Sequence, residues 1–304
     1  MTGLFFRFIS RAYAVVIILI SSLLPGLAFA QEGLPTPRQI GLQNSVTPTM
    51  DSIVAFHDGV LMWTITAITV FVLLLLIYVI LRFNRRANPT PSQFSHNTLV
   101  EVVWVVVPIV ILLIIAVPSF AVLADQMTTP DGERKYLGSS IFSKRSVEVP
   151  AAELTLKVTG YQWYWGYEYV DQEVEFDSIM LNEDERQSLK PGQPRLLAVD
   201  YELVVPVDTT VRVQVTAADV IHALAVPAFG IKTDAVPGRL NETWFNVRKT
   251  GIYYGQCSEL CGKDHAYMPI AVRVVSKREF ANWMAALKES DDVETANLTL
   301  AAIN

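Results

Sequence analysis

The pattern of hydrophobic and polar positions divides the chain into an apolar N-terminal part and a C-terminal part with short alternating segments. Three apolar runs fall before residue 125. The first follows Arg7 and Arg11 and ends with a small-x-small cleavage pattern, Ala28-Phe29-Ala30. This order is typical of a secretory signal, so we predict a signal peptide over residues 1–30. If that segment stays as an uncleaved anchor helix, the N-terminal outer segment, 31–58, still begins outside the membrane.

The second and third apolar runs are long enough to cross a membrane as helices. Residues 59–81 and 99–124 contain no charged residue except Glu101, and about 20 apolar residues span a bilayer core. The loop between them contains three arginines, Arg82, Arg85 and Arg86. By the positive-inside rule this loop lies in the cytoplasm. We therefore predict a two-helix transmembrane hairpin over residues 59–124, with both of its ends outside.

Beyond residue 124 the period of the pattern changes. Residues 125–150 are polar and predict an exposed connector, and from Glu153 apolar and polar residues alternate as in half-buried strands. Further strand-like runs, bounded by Gly, Pro and Asp, are 201–207, 211–215, 244–247 and 270–275. Many short strands of this kind predict an all-β Greek-key sandwich or barrel over residues 151–288. An amphipathic helix over 277–287 closes it, and a loose C-terminal tail, 289–304, follows.

Composition and charge narrow the function. Hydrophobic residues make up 51% of the 304 positions and charged residues only 18%, because the apolar runs are so long. The formal net charge of −6 argues against nucleic acid as a partner and permits a basic one. Only two cysteines are present, which is too few for a domain held together by disulfides.

The chemically distinctive segment is the loop over residues 257–268, between two predicted strands. Its candidate metal donors, with one histidine after an earlier strand, are Cys257, Cys261, His265, Met268 and His222. Thiolate, imidazole and thioether groups together favour copper, which soft sulfur ligands select. Two thiolates four residues apart can both bridge a pair of copper ions, each capped by one histidine. A pair of this kind suits electron transfer better than bond chemistry.

Two plainer interpretations of the same residues stay open at this point. Outside the cell, Cys257 and Cys261 are able to form a disulfide. Two cysteines and two histidines are also the usual ligands of a structural zinc ion. Taken singly, Met268 is typical of core packing and His222 of a hydrogen-bonded core histidine. The occurrence of all these donors in one order, in an oxidising compartment, favours copper.

Three segments carry a resemblance to a known family: Gly160-Tyr161-Gln162-Trp163-Tyr164-Trp165, the stretch 232–239 (KTDAVPGR), and the whole copper loop. In these segments and in its hairpin the chain closely resembles subunit II of haem–copper cytochrome c oxidases of the bacterial or mitochondrial kind, over about residues 45–285. The resemblance implies a cupredoxin-like β-domain that holds a dinuclear copper centre, CuA. It also implies transfer of electrons from cytochrome c to haem in subunit I, where oxygen is reduced and protons are translocated.

By the same resemblance the copper ligands are His222, Cys257, Cys261, His265, Met268 and the backbone carbonyl of Glu259. The Glu259 side chain is then expected to reach a magnesium or manganese ion shared with subunit I. The chain contains no Cys-x-x-Cys-His sequence, so we expect no haem in this chain and a separate electron donor.

The resemblance also assigns a route for the electron. Trp163 is the expected entry point from cytochrome c. Five alternate aromatic residues are predicted to share one face of a strand, mostly as core: Tyr161, Trp163, Trp165, Tyr167 and Tyr169. The expected cytochrome c docking residues are the acids Glu168, Asp171, Glu173, Asp177 and Asp219. A solvated acidic loop is the alternative to a docking surface that steers a lysine-rich cytochrome.

Glu101 lies at the cytoplasmic end of the second span. A carboxylate there is compatible with the headgroup zone, whereas the resemblance implies the mouth of a proton-uptake channel in subunit I. We expect subunits I and III as partners in a bacterial inner membrane, with the copper domain on the periplasmic face. The rival functions are a quinol oxidase subunit II, which lacks copper, and a tethered copper carrier, sensor or CuA domain serving nitrous oxide reduction.

Overall fold

Two long apolar helices and a β-domain make up the part of the chain that the structure describes. The computed structural model describes residues 33–90, 92–133, 135–136 and 147–301. The predicted signal peptide lies outside the described residues, as does most of the second half of the predicted connector.

The first arm of the hairpin is one continuous helix, Pro48–Arg82. It consists of α1 (Pro48–Phe56), a π-helical turn (His57–Leu61) and α2 (Met62–Arg82). Its start precedes the apolar run because the Thr47 side chain caps it, accepting from the Met50 amide at 3.1 Å. Its 35 residues measure about 50 Å at about 1.5 Å per residue, so about 20 Å project beyond a bilayer core of about 30 Å.

The second arm, α3 (Thr98–Met127), is also longer than its apolar run. The Asn97 side chain caps it by accepting from the Val100 amide at 3.2 Å. Both arms are of membrane-spanning length and hydropathy, and their central side chains are exposed outside the β-domain. This is the pattern of helices that bury their apolar surface in lipid.

The remaining elements follow in chain order. The strands are β1 (Lys135–Tyr136), β2 (Val147–Glu148), β3 (Leu154–Tyr161), β4 (Tyr164–Tyr169), β5 (Val174–Ser178), β6 (Leu203–Pro206), β7 (Thr210–Ala217), β8 (His222–Val226), β9 (Ile231–Ala235), β10 (Asn241–Asn246), β11 (Gly251–Cys257) and β12 (Pro269–Val275). The helices are α4 (Glu183–Leu189), α5 (Lys277–Ser290) and α6 (Val293–Ala301).

Two five-stranded sheets form the sandwich, in the orders β10-β7-β3-β4-β5 and β6-β12-β11-β8-β9. Neighbours are antiparallel except β3 with β7 and β6 with β12, which are parallel. Alternate residues of β3 are buried, beginning with Leu154 and continuing through Val158, as the period-two pattern predicts. The predicted fold class, a transmembrane hairpin followed by a cupredoxin-like β-sandwich, is confirmed.

The hairpin is joined to the β-domain at the end that contains Thr47 and Asp125. The Thr47 hydroxyl donates to the Phe229 carbonyl at 2.7 Å, and the Trp244 indole donates to the Asp125 carbonyl at 2.7 Å. Trp244 is buried. Both arms therefore contact one region of the β-domain, around β10 and the turn before β9.

Two expectations about local structure were wrong. The five alternate aromatic residues do not lie on one strand, because a turn at Gln162 and Trp163 separates β3 from β4 and leaves only Trp165, Tyr167 and Tyr169 in the core. The predicted loose tail contains α6, whose Ala296 is fully buried against the core. Helix α5 also runs three residues past its predicted end, to Ser290.

We expect Gly230→Ala to weaken the attachment of the hairpin. A Cβ at Gly230 approaches the Met50 Cα to 2.8 Å, and the residue has φ of +68°. Overpacking of this kind costs about 1–3 kcal/mol. Thermal unfolding of the purified full-length chain in detergent measures the loss.

Gly238→Ala is the matched control, since Gly238 has φ of +75° but open space around its Cβ position. Both variants incur the backbone strain of a left-handed residue, and only Gly230→Ala adds the clash with Met50. Equal losses of stability in the two variants would show that the contact with α1 contributes nothing.

Candidate metal centre

The predicted metal donors meet at one end of the sandwich because two neighbouring strands have ends there. Strand β8 begins at His222, and the antiparallel strand β11 ends at Cys257, opposite Leu224. The Ser258 amide donates to the Ala223 carbonyl at 3.0 Å, which keeps the outgoing loop beside His222. One donor from each strand is thus brought to the same point by sheet pairing alone.

The other donors come from the loop between β11 and β12. The loop turns at Gly262, whose φ of +124° disfavours other residues, and then forms a short 3-10 turn, His265–Tyr267. The Trp165 indole donates to the Met268 carbonyl at 3.1 Å, so the loop returns to the core at Met268. These contacts bring both loop ends back to the site.

The sulfur and nitrogen atoms lie within bonding reach of common metal positions. The Cys257 and Cys261 sulfurs are 3.9 Å apart. His222 Nδ1 lies 3.9 Å from the Cys257 sulfur, and His265 Nδ1 lies 3.5 Å from the Cys261 sulfur. Each thiol therefore has its own imidazole, as expected for a site with two metal ions.

The remaining donors complete the set. The Met268 sulfur lies 3.5 Å from the Cys261 sulfur, and the Glu259 carbonyl oxygen lies 3.3 Å from the Cys257 sulfur. The Glu259 side chain is exposed, so its carbonyl faces the site while its carboxylate faces outward. The two cysteines, His222 and Met268 are buried, and His265 is half-buried.

The geometry favours metal binding over a disulfide for the two cysteines. They are free thiols, and their 3.9 Å separation is well beyond the about 2.05 Å of a disulfide bond. A metal–thiolate bond measures about 2.3 Å, so one ion is able to contact both sulfurs. Burial raises the pKa of the Cys261 thiol to about 12, and the adjacent Cys257 adds to this. A bound cation reverses that preference and favours thiolates.

The donor set fits a copper pair better than zinc. Zinc in structural sites takes four ligands, whereas this site offers two thiols, two imidazoles, a thioether and a carbonyl. The thioether is a soft donor that selects copper. The residues present therefore fit two copper ions.

A carboxylate orients the buried histidine. His222 Nε2 lies 2.9 Å from the Asp219 carboxylate, which also accepts a hydrogen bond from the backbone amide of Gln162 at 2.7 Å. Burial opposes ionisation of Asp219, but hydrogen bonds from the His222 ring and two backbone amides hold its pKa below the usual range. Metal-binding histidines commonly donate their second ring nitrogen to such a carboxylate.

The expected entry residue, Trp163, lies directly on the metal loop. A Cβ at Gly262 would approach a Trp163 ring carbon to 3.1 Å, and the Gln162 side chain donates to the Cys261 carbonyl at 2.8 Å. Sequence reasoning missed Gln162 and the glycines that allow these approaches. The only sequence signal for Gln162 was its position inside the aromatic segment that contains Trp163.

The five predicted docking acids do not form one patch. Asp177 pairs with Gly166 near the entry turn, whereas Asp171 and Glu173 lie at the opposite end of the β4–β5 hairpin. Asp177 lies four positions after Glu173 along the strand, which is about 13 Å at about 3.3 Å per residue. Glu168 lies between these positions and forms an ion pair with Lys157 at 2.7 Å.

Beside Trp163 the outer face of this sheet is concave. A groove of about 390 Å³ is lined by Lys157, which is paired with Glu168, and by further acids and two stacked tyrosines whose ring centroids are 4.7 Å apart: Glu175, Asp177, Tyr161 and Tyr164. Carboxylates and aromatic faces together suit a cationic side chain. Glu175 belongs to this surface although it was not among the five predicted docking residues.

Glu101 occupies a different place, at the start of α3. Its carboxylate accepts a hydrogen bond from the backbone amide of Asn97 at 3.1 Å. The side chain therefore helps to cap the helix, and it is half-buried at the end remote from the β-domain.

Comparison with known proteins agrees with this architecture. Residues 154–275 match the family described as cytochrome c oxidase subunit II, periplasmic domain, and residues 35–122 match the transmembrane domain of the same subunit. A probable cytochrome c oxidase subunit 2 from Rickettsia bellii is 49% identical over 265 residues, which cover 87% of this chain and 89% of the relative. The cytochrome c oxidase subunit 2 of Cereibacter sphaeroides is 46% identical over 267 residues, covering 83% and 81%.

Among solved structures, the periplasmic domain of subunit II of cytochrome oxidase from Bradyrhizobium japonicum has 63% sequence identity and a TM-score of 0.42, covering 46% of this chain and 97% of that one. Both the hairpin and the β-domain fall within the matched family regions, and the relatives are nearly half identical along most of their length. The chain therefore belongs to the cytochrome c oxidase subunit II family.

Proposed function

We propose that this oxidase subunit accepts electrons one at a time from cytochrome c at a dinuclear copper centre, CuA, and passes them to haem in subunit I. There oxygen is reduced and protons are translocated. The observation that best supports this is the cluster of Cys257, Cys261 and His222, with His265 and Met268 in contact with it. When bound, the copper pair supplies one-electron transfer.

The protein's own residues hold and enclose this centre. The groups that would hold the copper pair are the two cysteine thiolates, the His222 and His265 rings, the Met268 thioether and the Glu259 carbonyl. Because the cysteines, His222 and Met268 are buried, the site excludes bulk water. All six donors are protein groups, so no position is offered to a substrate, in keeping with electron transfer rather than catalysis at the metal.

We place the β-domain on the outer, periplasmic face of a bacterial inner membrane. Support comes from the basic loop at Arg82, Arg85 and Arg86, which favours a cytoplasmic position. The outward-facing Glu259 carboxylate then lies free to share a magnesium or manganese ion with subunit I. Residues 232–239, which resemble the family's interface, belong to the same contact surface with the oxidase partners, subunits I and III.

Electron entry is assigned to Trp163. The half-buried indole lies against Gly262 of the metal loop. The preceding residue, Gln162, donates a hydrogen bond from its side chain to the Cys261 carbonyl. The groove beside it presents Asp177 and the stacked tyrosines to a basic partner. A lysine-rich cytochrome c fits this surface by charge.

Copper content and electron paramagnetic resonance test the centre. We expect the full-length chain, purified with copper, to hold two copper ions and to show the hyperfine pattern of one electron shared by two nuclei. Cys261→Ser removes one of the two thiolate donors and should abolish the shared pattern. Lys263→Ala, in the same loop with an 84% exposed side chain, is the control and keeps it. A single-copper pattern, bound zinc or a Cys257–Cys261 disulfide in the wild-type chain would refute the proposal.

The salt dependence of cytochrome c oxidation tests the docking surface. We expect Asp177→Lys to raise KM by about threefold to tenfold at low salt and to flatten its salt dependence, because like charges then meet at the interface. Asp171→Lys is the matched charge reversal. Its position is more than a Debye length of about 8–10 Å from the entry turn, so its KM stays near the wild-type value. Equal effects of the two reversals would contradict the placement of the docking surface beside Trp163.

We propose further that Glu101 lies at the mouth of a proton-uptake path in subunit I. Glu101→Gln keeps an oxygen for the Asn97 amide but cannot exchange a proton, so turnover at saturating cytochrome c should fall by about tenfold or more. Asn97→Ala removes the other helix cap and retains the carboxylate, and its turnover should stay unchanged. Wild-type turnover of Glu101→Gln would leave only the capping role.

A further inference from the structure

Strands β3, β4 and β5 carry a row of three charged side chains on their outer face. In the register of these antiparallel strands, Lys157 lies opposite Glu168, and Glu168 lies opposite Glu175. Directly opposite residues point to the same face of a sheet, so the three side chains lie side by side. The next row on this face, about 7 Å away at about 3.3 Å per residue, contains Asp177. All four side chains line the groove of about 390 Å³.

The row places two like charges next to each other. Carboxylates directly opposite each other destabilise a sheet, and the Lys157 ammonium offsets this because it forms an ion pair with Glu168 at 2.7 Å. The hydrogen bond to Glu168 raises the pKa of Lys157, against a smaller opposing effect of burial, and the charges of Glu168 and Glu175 add to the rise. Lys157 therefore stays charged at neutral pH.

Lys157 is the one cation among the described residues that line the groove, against three carboxylates. Its side chain is 39% exposed and that of Glu168 is 34% exposed, so a cationic group arriving from solvent is able to reach Glu168. Ion pairs at this exposure are weak, and an incoming cation is therefore able to displace the Lys157 ammonium. The two cations compete for the same carboxylate.

We propose that Lys157 is an internal competitor of the basic partner: it occupies Glu168 in the free protein and thereby limits the affinity of the groove for a lysine-rich cytochrome c. This rests on the proposed function, which assigns cytochrome c to this groove. A partner that delivers one electron at a time has to dissociate after each transfer, and release of this kind limits the turnover of many enzymes. Limited affinity therefore favours turnover.

Lys157→Met tests the competition, because methionine fills similar space without a charge. We expect the Kd for a lysine-rich cytochrome c to fall by about threefold to tenfold at low salt, since the groove then offers three unoccupied carboxylates. The difference should shrink as salt is raised, because screening weakens exposed charges. Surface plasmon resonance on the full-length, copper-loaded chain in detergent measures both effects.

Lys288→Met is the matched control. It makes the same change in net charge, but Lys288 donates to the Gln172 side chain at 2.6 Å, at the end of the β4–β5 hairpin remote from Trp163. Its Kd should stay near the wild-type value. Equal tightening by the two variants would show that only the net charge of the chain matters, and would overturn the inference.

A double variant isolates the shared carboxylate. Glu168→Gln removes the charge for which Lys157 and the partner compete, so adding Lys157→Met to it should tighten binding clearly less than Lys157→Met does alone. The same gain in both backgrounds contradicts competition for Glu168. In the assembled oxidase, Lys157→Met should lower KM and kcat together at low salt, because dissociation of cytochrome c then limits turnover. Simple loss of a stabilising cross-strand pair would not produce tighter binding.

The outcomes separate this inference from the proposed function. If the wild-type chain shows no salt-dependent binding of cytochrome c, the proposed docking function fails. If the wild-type chain binds, and Lys157→Met binds equally or more weakly, only the inference fails and Lys157 serves the sheet alone. Far-UV circular dichroism identifies a folding defect. In that case Lys157→Gln, which keeps an uncharged donor for Glu168, repeats the test with tightening again expected.

Discussion

The metal end of the β-domain is built around two buried thiols, Cys257 and Cys261, whose sulfurs lie 3.9 Å apart. Burial, together with the adjacent Cys257, raises the pKa of the Cys261 thiol to about 12. Two adjacent thiolates are stable there only beside a cation. The fold therefore has to bring neutral imidazoles, a thioether and a carbonyl to the same point. It does so with two strand ends and one loop, because antiparallel pairing of β8 and β11 sets His222 against Cys257.

Close approach of backbone segments is the second requirement of this end of the sandwich. Gly160 lets β3 pass His222, and Gly262 lets the metal loop pass the Trp163 ring. A side chain at either position would move a ligand or the entry turn by part of an ångström or more. The absence of a side chain is what places the tryptophan directly on the loop that holds Cys261. On the proposed function, this places the entry residue against Gly262, the neighbour of Cys261 in the chain.

The sequence predicted the parts of the site that are local and missed those that are distant. Four donors lie within one twelve-residue loop, so their spacing alone suggested copper, and strand alternation predicted the sandwich. The turn at Gln162 and Trp163 was missed because it lacks the Gly, Pro, Asn or Asp that normally mark turns. Helix α6 was missed because its stability comes from packing, with Ala296 buried against the core. The contact of Asp219 with Gln162 joins residues 57 positions apart, which no local pattern reveals.

The acids around Trp163 differ in what their carboxylates contact, and on the proposed function this decides which of them steer a partner. Charge that steers a partner must be exposed and within a Debye length of about 8–10 Å of the contact point. Asp177 meets both conditions, and Asp171 and Glu173 fail the second because they lie at the far end of the hairpin. Asp219 differs from these acids, because one of its oxygens lies 2.9 Å from His222 Nε2 and the other accepts from the Gln162 backbone amide at 2.7 Å. Composition cannot distinguish these acids, because the difference lies in which atoms each carboxylate contacts.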